Sequence, residues 1–304
     1  MFAQKKEVML KQISTFAAIA LIAASCSIKE DRSKCPFIIP VNVHLSGFSM
    51  SQKNFPGTKT DPVDPMDYGD VNTITLAFYS GDTEVYKATQ SKSDATSYTT
   101  FGDFSLSLRM GSYTMVAIAY TTKEGSPFTL TSPTSASFTG AHVYDTFLYT
   151  RTVNIPNADN AVGISATLNR IVSGLKVVST DGKTSNVTNV RMTLSAGGRS
   201  FNPTTGLATV NTGFANTVGN SAAVGNPSTS STYFFLATDE QTMNVTIETL
   251  DADGNTLSTK TVNDVPFKRN RITQLSGPIY TNSGVSGGFQ LNTDWLTEYD
   301  DIFS

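Results

Sequence analysis

Few side chains in this sequence could do covalent or metal chemistry, and the best placed of them is a thiol. Cys26 closes the stretch "IALIAASC", directly behind the small residues Ala23, Ala24 and Ser25. A cysteine in that position has the pattern of a lipobox, the site where a bacterial lipoprotein is cleaved and its thiol acylated, although Ala23 stands where leucine is usual. Each buried acyl methylene contributes about 0.8 kcal/mol, so two or three chains hold a protein stably on a bilayer. The alternative is an ordinary secretory signal with Cys26 free or bridged to Cys35. With Cys26 acylated, Cys35 has no cysteine partner. Two cysteines in 304 residues make no disulfide framework in either case.

The remaining candidates are weaker. His44 falls on the polar side of an alternating segment and His142 follows the turn-like "FTGA", neither with a cysteine or second histidine at metal spacing; both read as solvated surface histidines. Asp61, Asp64, Asp67 and Asp70 recur every third residue, and "DADGN" from Asp251 to Asn255 resembles the start of a calcium loop without its bidentate glutamate. A solvated loop and a hairpin turn are the favoured readings of these. No G-x-S-x-G, H-E-x-x-H or P-loop pattern occurs, and no enzyme or cofactor is expected. Net charge is −3 with scattered Lys and Arg, so nucleic acid has no electrostatic footprint.

The elements that would carry these residues are strands. Charged residues make up only 15% of the chain and Thr, Ser, Gly and Asn are abundant, a balance that favours β-rich extracytoplasmic proteins. Lys5, Lys6 and Lys11 precede a 13-residue apolar run, Ile13 to Ser25. A spanning helix needs about 20 such residues, so residues 1–25 read as a signal peptide, with Met9 an alternative start. Beyond it, period two dominates. Val41, Val43 and Leu45 alternate with Asn42, His44 and Ser46; Ile74, Leu76 and Phe78 with Thr73, Thr75 and Ala77; Phe104, Leu106 and Leu108 with serines; Met243, Val245 and Ile247 with Asn244, Thr246 and Glu248. Each predicts a strand with one buried face. "SYTMVAIAY" and "STYFFLAT" are apolar on both faces and fit central strands. "ISATLNRIVSGLKVV" also fits helical spacing, but Gly174 and its β-branched residues favour two strands with a kink. Residues 51–70 and 211–231 read as long surface loops. The polar "NIPNADNAVG" suggests a boundary near residue 160, giving an N-terminal sandwich over 36–160 and a C-terminal one over 161–304, after a lipidated segment 26–35.

At "CSIKEDRSKCPFIIPVNV" the chain resembles the anchor-subunit branch of the fimbrillin superfamily, which builds type V pili on Gram-negative cells. The matching positions are Cys26, Ile28 to Asp31, Cys35 and Pro36, with Gly111 and Tyr113, "LNRIVSGLKVV" and "PFKRNRITQLSGPIY" farther along. The resemblance implies an all-β fold, two tandem transthyretin-like Greek-key β-sandwiches after a lipoprotein signal peptide. Separately, Lys29, Glu30 and Asp31 resemble the Lys-acidic-acidic triplet that marks some lipoproteins for the outer leaflet of the outer membrane, which implies a surface-export signal, whereas on physics alone they are a solvated charge run. The fimbrillin resemblance also implies assembly by strand exchange with other fimbrial subunits in a surface-exposed fimbrium. In shaft subunits a trypsin-like protease removes the first strand, and a neighbour's C-terminal strand fills the groove by β-augmentation. An anchor keeps its first strand. Here Val41, Val43 and Leu45 would complete their own domain, while Lys53 and Lys59 are the basic positions where a protease would cut. Phe289, Leu291 and Trp295, within a tail spanning 288–304, are either a donor strand or the closing strand of the second sandwich.

The expectation is therefore a non-enzymatic lipid-anchored pilus subunit. Its partners would be other subunits, the membrane through Cys26, and host or bacterial surface ligands. The alternatives are a shaft or tip adhesin subunit and a surface glycan-binding lipoprotein, the last requiring an exposed aromatic platform.

Overall fold

Alternating side chains dictate the architecture. The computed structural model describes residues 38–49, 66, 69, 71–96, 98–123, 125–157, 160–281 and 288–292, and among these every regular element is a strand. Cys26, Lys29, Glu30, Asp31, Cys35, Lys53, Lys59, the four regularly spaced aspartates and Trp295 lie outside the described residues.

The first half contributes β1 (Ile38–Ser49), β2 (Thr73–Ser80), β3 (Thr83–Ser91), β4 (Asp103–Arg109), β5 (Gly111–Tyr120), β6 (Phe128–Ser132), β7 (Ser135–Phe138), β8 (Thr146–Ile155) and β9 (Val162–Arg170). Seven of these form one sheet, in the order β3-β2-β5-β8-β9-β1-β4. The β8–β9 contact is limited to Phe147↔Arg170 and Leu148↔Asn169. The sheet turns a corner there, so its two parts close over one core containing Val41, Val43, Leu45, Leu76, Phe78, Phe104, Met115 and Phe147. A folded-over sheet of this kind is a sandwich.

The second half contributes β10 (Ser173–Ser179), β11 (Asn189–Leu194), β12 (Ser200–Asn202), β13 (Leu207–Ala208), β14 (Phe214–Gly219), β15 (Thr229–Phe234), β16 (Glu240–Leu250), β17 (Thr256–Lys268), β18 (Ile272–Gly277) and β19 (Gln290–Asn292). Two four-stranded sheets, β15-β10-β18-β19 and β14-β11-β16-β17, enclose Leu175, Val190, Phe234, Val245 and Leu275. The all-β expectation holds among the described residues. "ISATLNRIVSGLKVV" forms two strands, β9 and β10, broken at Ile171-Val172. Because β9 lies in the first sheet, sheet membership changes after Arg170, seven residues beyond the polar "NIPNADNAVG".

Two expectations need correction. The Thr73, Thr75 and Ala77 face of β2 is buried, as is its apolar face. The buried hydroxyl of Thr75 meets the Tyr120 hydroxyl at 3.0 Å and that of Thr89 at 2.9 Å, which satisfies its polarity. Residues 211–231 are not one loop: they contain β14, whose Phe214 enters the core and whose buried Asn216 donates to the Thr232 hydroxyl at 2.9 Å.

The second face of β2 and β5 explains how the halves join. Ala77, Tyr79, Val116, Ile118 and Tyr120 belong to the same core as Phe201, Phe234 and Phe235. Above them a small sheet, β13-β12-β7-β6, takes one hairpin from each half, joined by Ser200↔Ser137 and Phe201↔Ala136. Beside this junction Arg170 and Asp145 form a fully buried fork, Nε to Oδ1 at 2.8 Å and Nη2 to Oδ2 at 2.7 Å, with the guanidinium 4.9 Å from the Phe147 ring centroid. Removing one member of a buried pair leaves the other charge in a poor solvent, at about 3–5 kcal/mol. Asp145→Ala is therefore expected to lower unfolding free energy by about 3 kcal/mol or more in urea titrations, while Asp145→Leu with Arg170→Met recovers much of the loss. Equal loss in single and double variants would contradict the pairing argument.

Candidate strand-exchange site

β1 reads IIPVNVHLSGFS, and its odd-numbered positions from Ile39 to Leu45 are buried while Pro40, Asn42, His44 and Ser46 are exposed. Both edges are occupied. One pairs antiparallel with β4 from Ile38↔Arg109 to His44↔Asp103, and the other parallel with β9 from Val41↔Val162 to Ser49↔Asn169. Pro40 has no N–H to give, and it sits one residue before the β9 ladder begins. The outward side chains add a second layer of ties. Ser105 donates to Asn42 Oδ1 at 3.0 Å, His44 Nδ1 meets Asp103 Oδ1 at 2.5 Å, and the Ser46 hydroxyl donates to the Ala166 carbonyl at 3.2 Å. A bulge follows between Leu45 and Gly47, where Gly47 takes a φ of 154° that side-chain-bearing residues rarely adopt. The extra residue re-aims the strand, so that Phe48 turns inward and its ring centroid lies 4.5 Å from that of Phe147.

β19 is short and sits on the edge of the second sheet, with Gln274↔Asn292, Leu275↔Leu291 and Ser276↔Gln290. One position earlier Phe289 lies over Gly277. A Cβ on that glycine would fall 2.7 Å from Phe289 Cδ1 and 2.8 Å from Cγ, so the ring occupies the space a side chain would need. Phe289 is half-buried against the second core, while Leu291 stays 44% exposed. The chain leaves β18 through a fixed point. The Asp181 carboxylate accepts the N–H groups of Ile279, Tyr280 and Thr281, each at 2.9 Å.

The structure thus brings Val41, Val43 and Leu45 together in the first core and sets Phe289 and Leu291 on the far sheet. Sequence pattern located those strands but missed the roles of Gly277 and Asp181. Their signals are single residues whose meaning comes from what folds against them.

Other candidates resolve into structural roles. The Asp251 carboxylate accepts the N–H groups of Asp253 and Asn255 and the Asn255 amide, which holds its pKa below the usual value and closes the β16–β17 turn. His142 is half-buried rather than solvated. Burial, then the charge of Arg199, lowers its pKa, with Lys123 adding to the effect. Burial raises the phenols of Tyr79, to about 12, and of Tyr86 and Tyr120, which keeps them neutral packing residues. Among the described residues no group of three His, Cys, Asp or Glu could hold a metal. None of the exposed large apolar side chains described is aromatic.

A model described as a family of unknown function (DUF6562) matches residues 58–302. The chain belongs to this family. No curated protein matches the DUF6562 chain. Among solved structures it is similar to the fimbrial anchor protein Mfa2 from Porphyromonas gingivalis, at 12% identity and a TM-score of 0.50, over 86% of this chain and 100% of that one. It is also similar to a candidate adhesin from Bacteroides ovatus, at 10% identity and a TM-score of 0.51, over 79% and 87% of the two chains. A second Bacteroides ovatus candidate adhesin aligns at 11% identity and a TM-score of 0.51, over 85% and 95%. At these identities the likeness is one of fold, and that fold is the one expected from the fimbrillin resemblance.

The Gly277 contact can be tested without disturbing the core. Gly277 is not among the positive-φ glycines, so its backbone admits a side chain. Gly277→Val should unseat Phe289 and speed proteolytic removal of the tail, with midpoint stability in urea lowered by no more than about 1–2 kcal/mol, less than a full Phe burial. Unchanged protection of the tail would contradict the packing described.

Proposed function

We propose that the chain is a non-enzymatic fimbrial subunit, held to the outer membrane by lipid on Cys26, that keeps its own first strand and anchors the fibre. The observation that carries this reading is the state of β1, which is paired along both edges and supplies five buried apolar side chains to its own core. A subunit built that way has no vacant groove in its first sandwich for a neighbour's strand. It can end a fibre at the membrane. The fold likeness to the Porphyromonas gingivalis anchor Mfa2 supports the same role.

In this reading the lipidated segment is 26–35, with Lys29, Glu30 and Asp31 directing it to the cell surface. The tail from residue 288, which carries Phe289, Leu291 and Trp295, is the strand offered to the adjoining subunit. Exchange works because main-chain hydrogen bonds supply affinity and alternate side-chain pockets set the register. Gly277 and the half-exposed Leu291 suit a strand that is held lightly before it is given away.

Metabolic labelling with radioactive palmitate tests the tether. The wild-type chain should carry label and fractionate with outer membrane. Cys26→Ser should lose both properties and shed fibres into the medium. An unlabelled wild type, or a Cys26→Ser chain that stays bound with fibres attached, would overturn the reading.

A further inference from the structure

Three of the exposed large apolar side chains among the described residues gather at one pole of the first sheet: Ile38, 62% exposed, Val85, 44%, and Met110, 61%. Ile38 and Val85 line a groove of about 340 Å³ with Ser107, Leu108, Arg109 and Tyr113, and Met110 follows directly on Arg109. The groove opens between the two outer strands of the folded-over sheet, β3 and β4. Their opposite ends are clamped together by Gln90, whose amide donates to the Asp103 carbonyl at 2.6 Å and whose oxygen accepts the Gly102 N–H at 2.8 Å. Leu108 and Tyr113 form the buried floor. Arg109 stands exposed on the rim and makes no ion pair among the described residues; the neighbouring Glu84 faces Lys87 at 3.4 Å.

We propose that this pole rests on the phosphate-bearing lipid surface of the membrane, with Ile38, Val85 and Met110 at the acyl boundary and Arg109 on a headgroup phosphate. The proposal rests on the reading of Cys26 as the lipid anchor. Eleven residues, 27–37, separate Cys26 from Ile38. Even fully extended they span about 40 Å, and the chain enters the fold at this pole. β1 then runs away from it for 12 residues, about another 40 Å at 3.3 Å per residue. The pole nearest the tether therefore carries exposed apolar side chains around an arginine that has no ion pair among the described residues. That combination binds interfaces, since apolar area enters the acyl boundary while the cation meets anionic headgroups.

The test uses the lipidated full chain, extracted and reconstituted into vesicles of phosphatidylethanolamine and phosphatidylglycerol. An environment-sensitive fluorophore is placed at Met110→Cys or, as a distant exposed control, at Val224→Cys, each with Cys35→Ser. The probe at 110 should shift to the blue and be quenched several-fold more than that at 224 by nitroxide-labelled lipids. Arg109→Glu should reduce that quenching while leaving the chain attached to the vesicles. A chain that floats with the vesicles but leaves the 110 probe unquenched overturns this proposal alone. A blue shift without lipid quenching also overturns it, because the groove is then covered by protein, either residues 27–37 or a second copy. A chain that does not float overturns the Cys26 anchor, and this proposal with it.

Discussion

The structure depends on β1 being hydrogen-bonded along both of its edges. Ile39, Val41, Val43, Leu45 and Phe48 are each 2% exposed or less, and a fully buried side chain of this kind contributes about 1.5–3 kcal/mol. Their sum is on the order of 10 kcal/mol, comparable to the whole stability of an ordinary domain. Taking β1 away would also strip β4 of its strand partner and bare one edge of β9. A first sandwich without this strand needs another strand in its place, whereas one that retains it is complete. In the proposed anchor role, the fate of this single 12-residue segment separates a subunit that receives a neighbour from one that does not.

The same constraint is carried through the molecule by the junction. The Arg170–Asp145 fork sits where β9 ends and β8 begins, and β6–β7 pair with β12–β13 across the halves. Tyr120, Phe128, Phe138, Phe201 and Phe235 stack through the interface with centroid separations from 4.1 to 6.4 Å. Along the chain from β1 this junction comes first, then the Asp181 clamp on residues 279–281. Only the three-residue β19 lies beyond that clamp among the described strands.

Much of this was legible in the sequence, because period-two alternation is a local signal. β1, β4 and β16 have the inward faces that their residue types predict. What could not be read locally was the second face of β2. Thr73 and Thr75 look solvent-facing until Tyr120 folds against them. β14 was hidden for a similar reason, its polar Asn216 being buried only because Thr232 lies across from it. Gly277 is an ordinary glycine in sequence and becomes a ring-sized recess only when Phe289, twelve residues on, returns to cover it. Arg170 and Asp145 are likewise unremarkable apart, separated by 25 positions and joined by a fold that turns a corner between them.

The central claim is that this chain keeps β1 as part of itself at the cell surface. The most direct measurement is the intact mass and amino-terminal peptide map of the mature protein recovered from assembled fibres. The account predicts a chain beginning at an acylated Cys26, with uncut peptides running through residues 38–49 and across Lys53 and Lys59. A mature chain beginning at residue 54 or 60, with β1 missing, would contradict it.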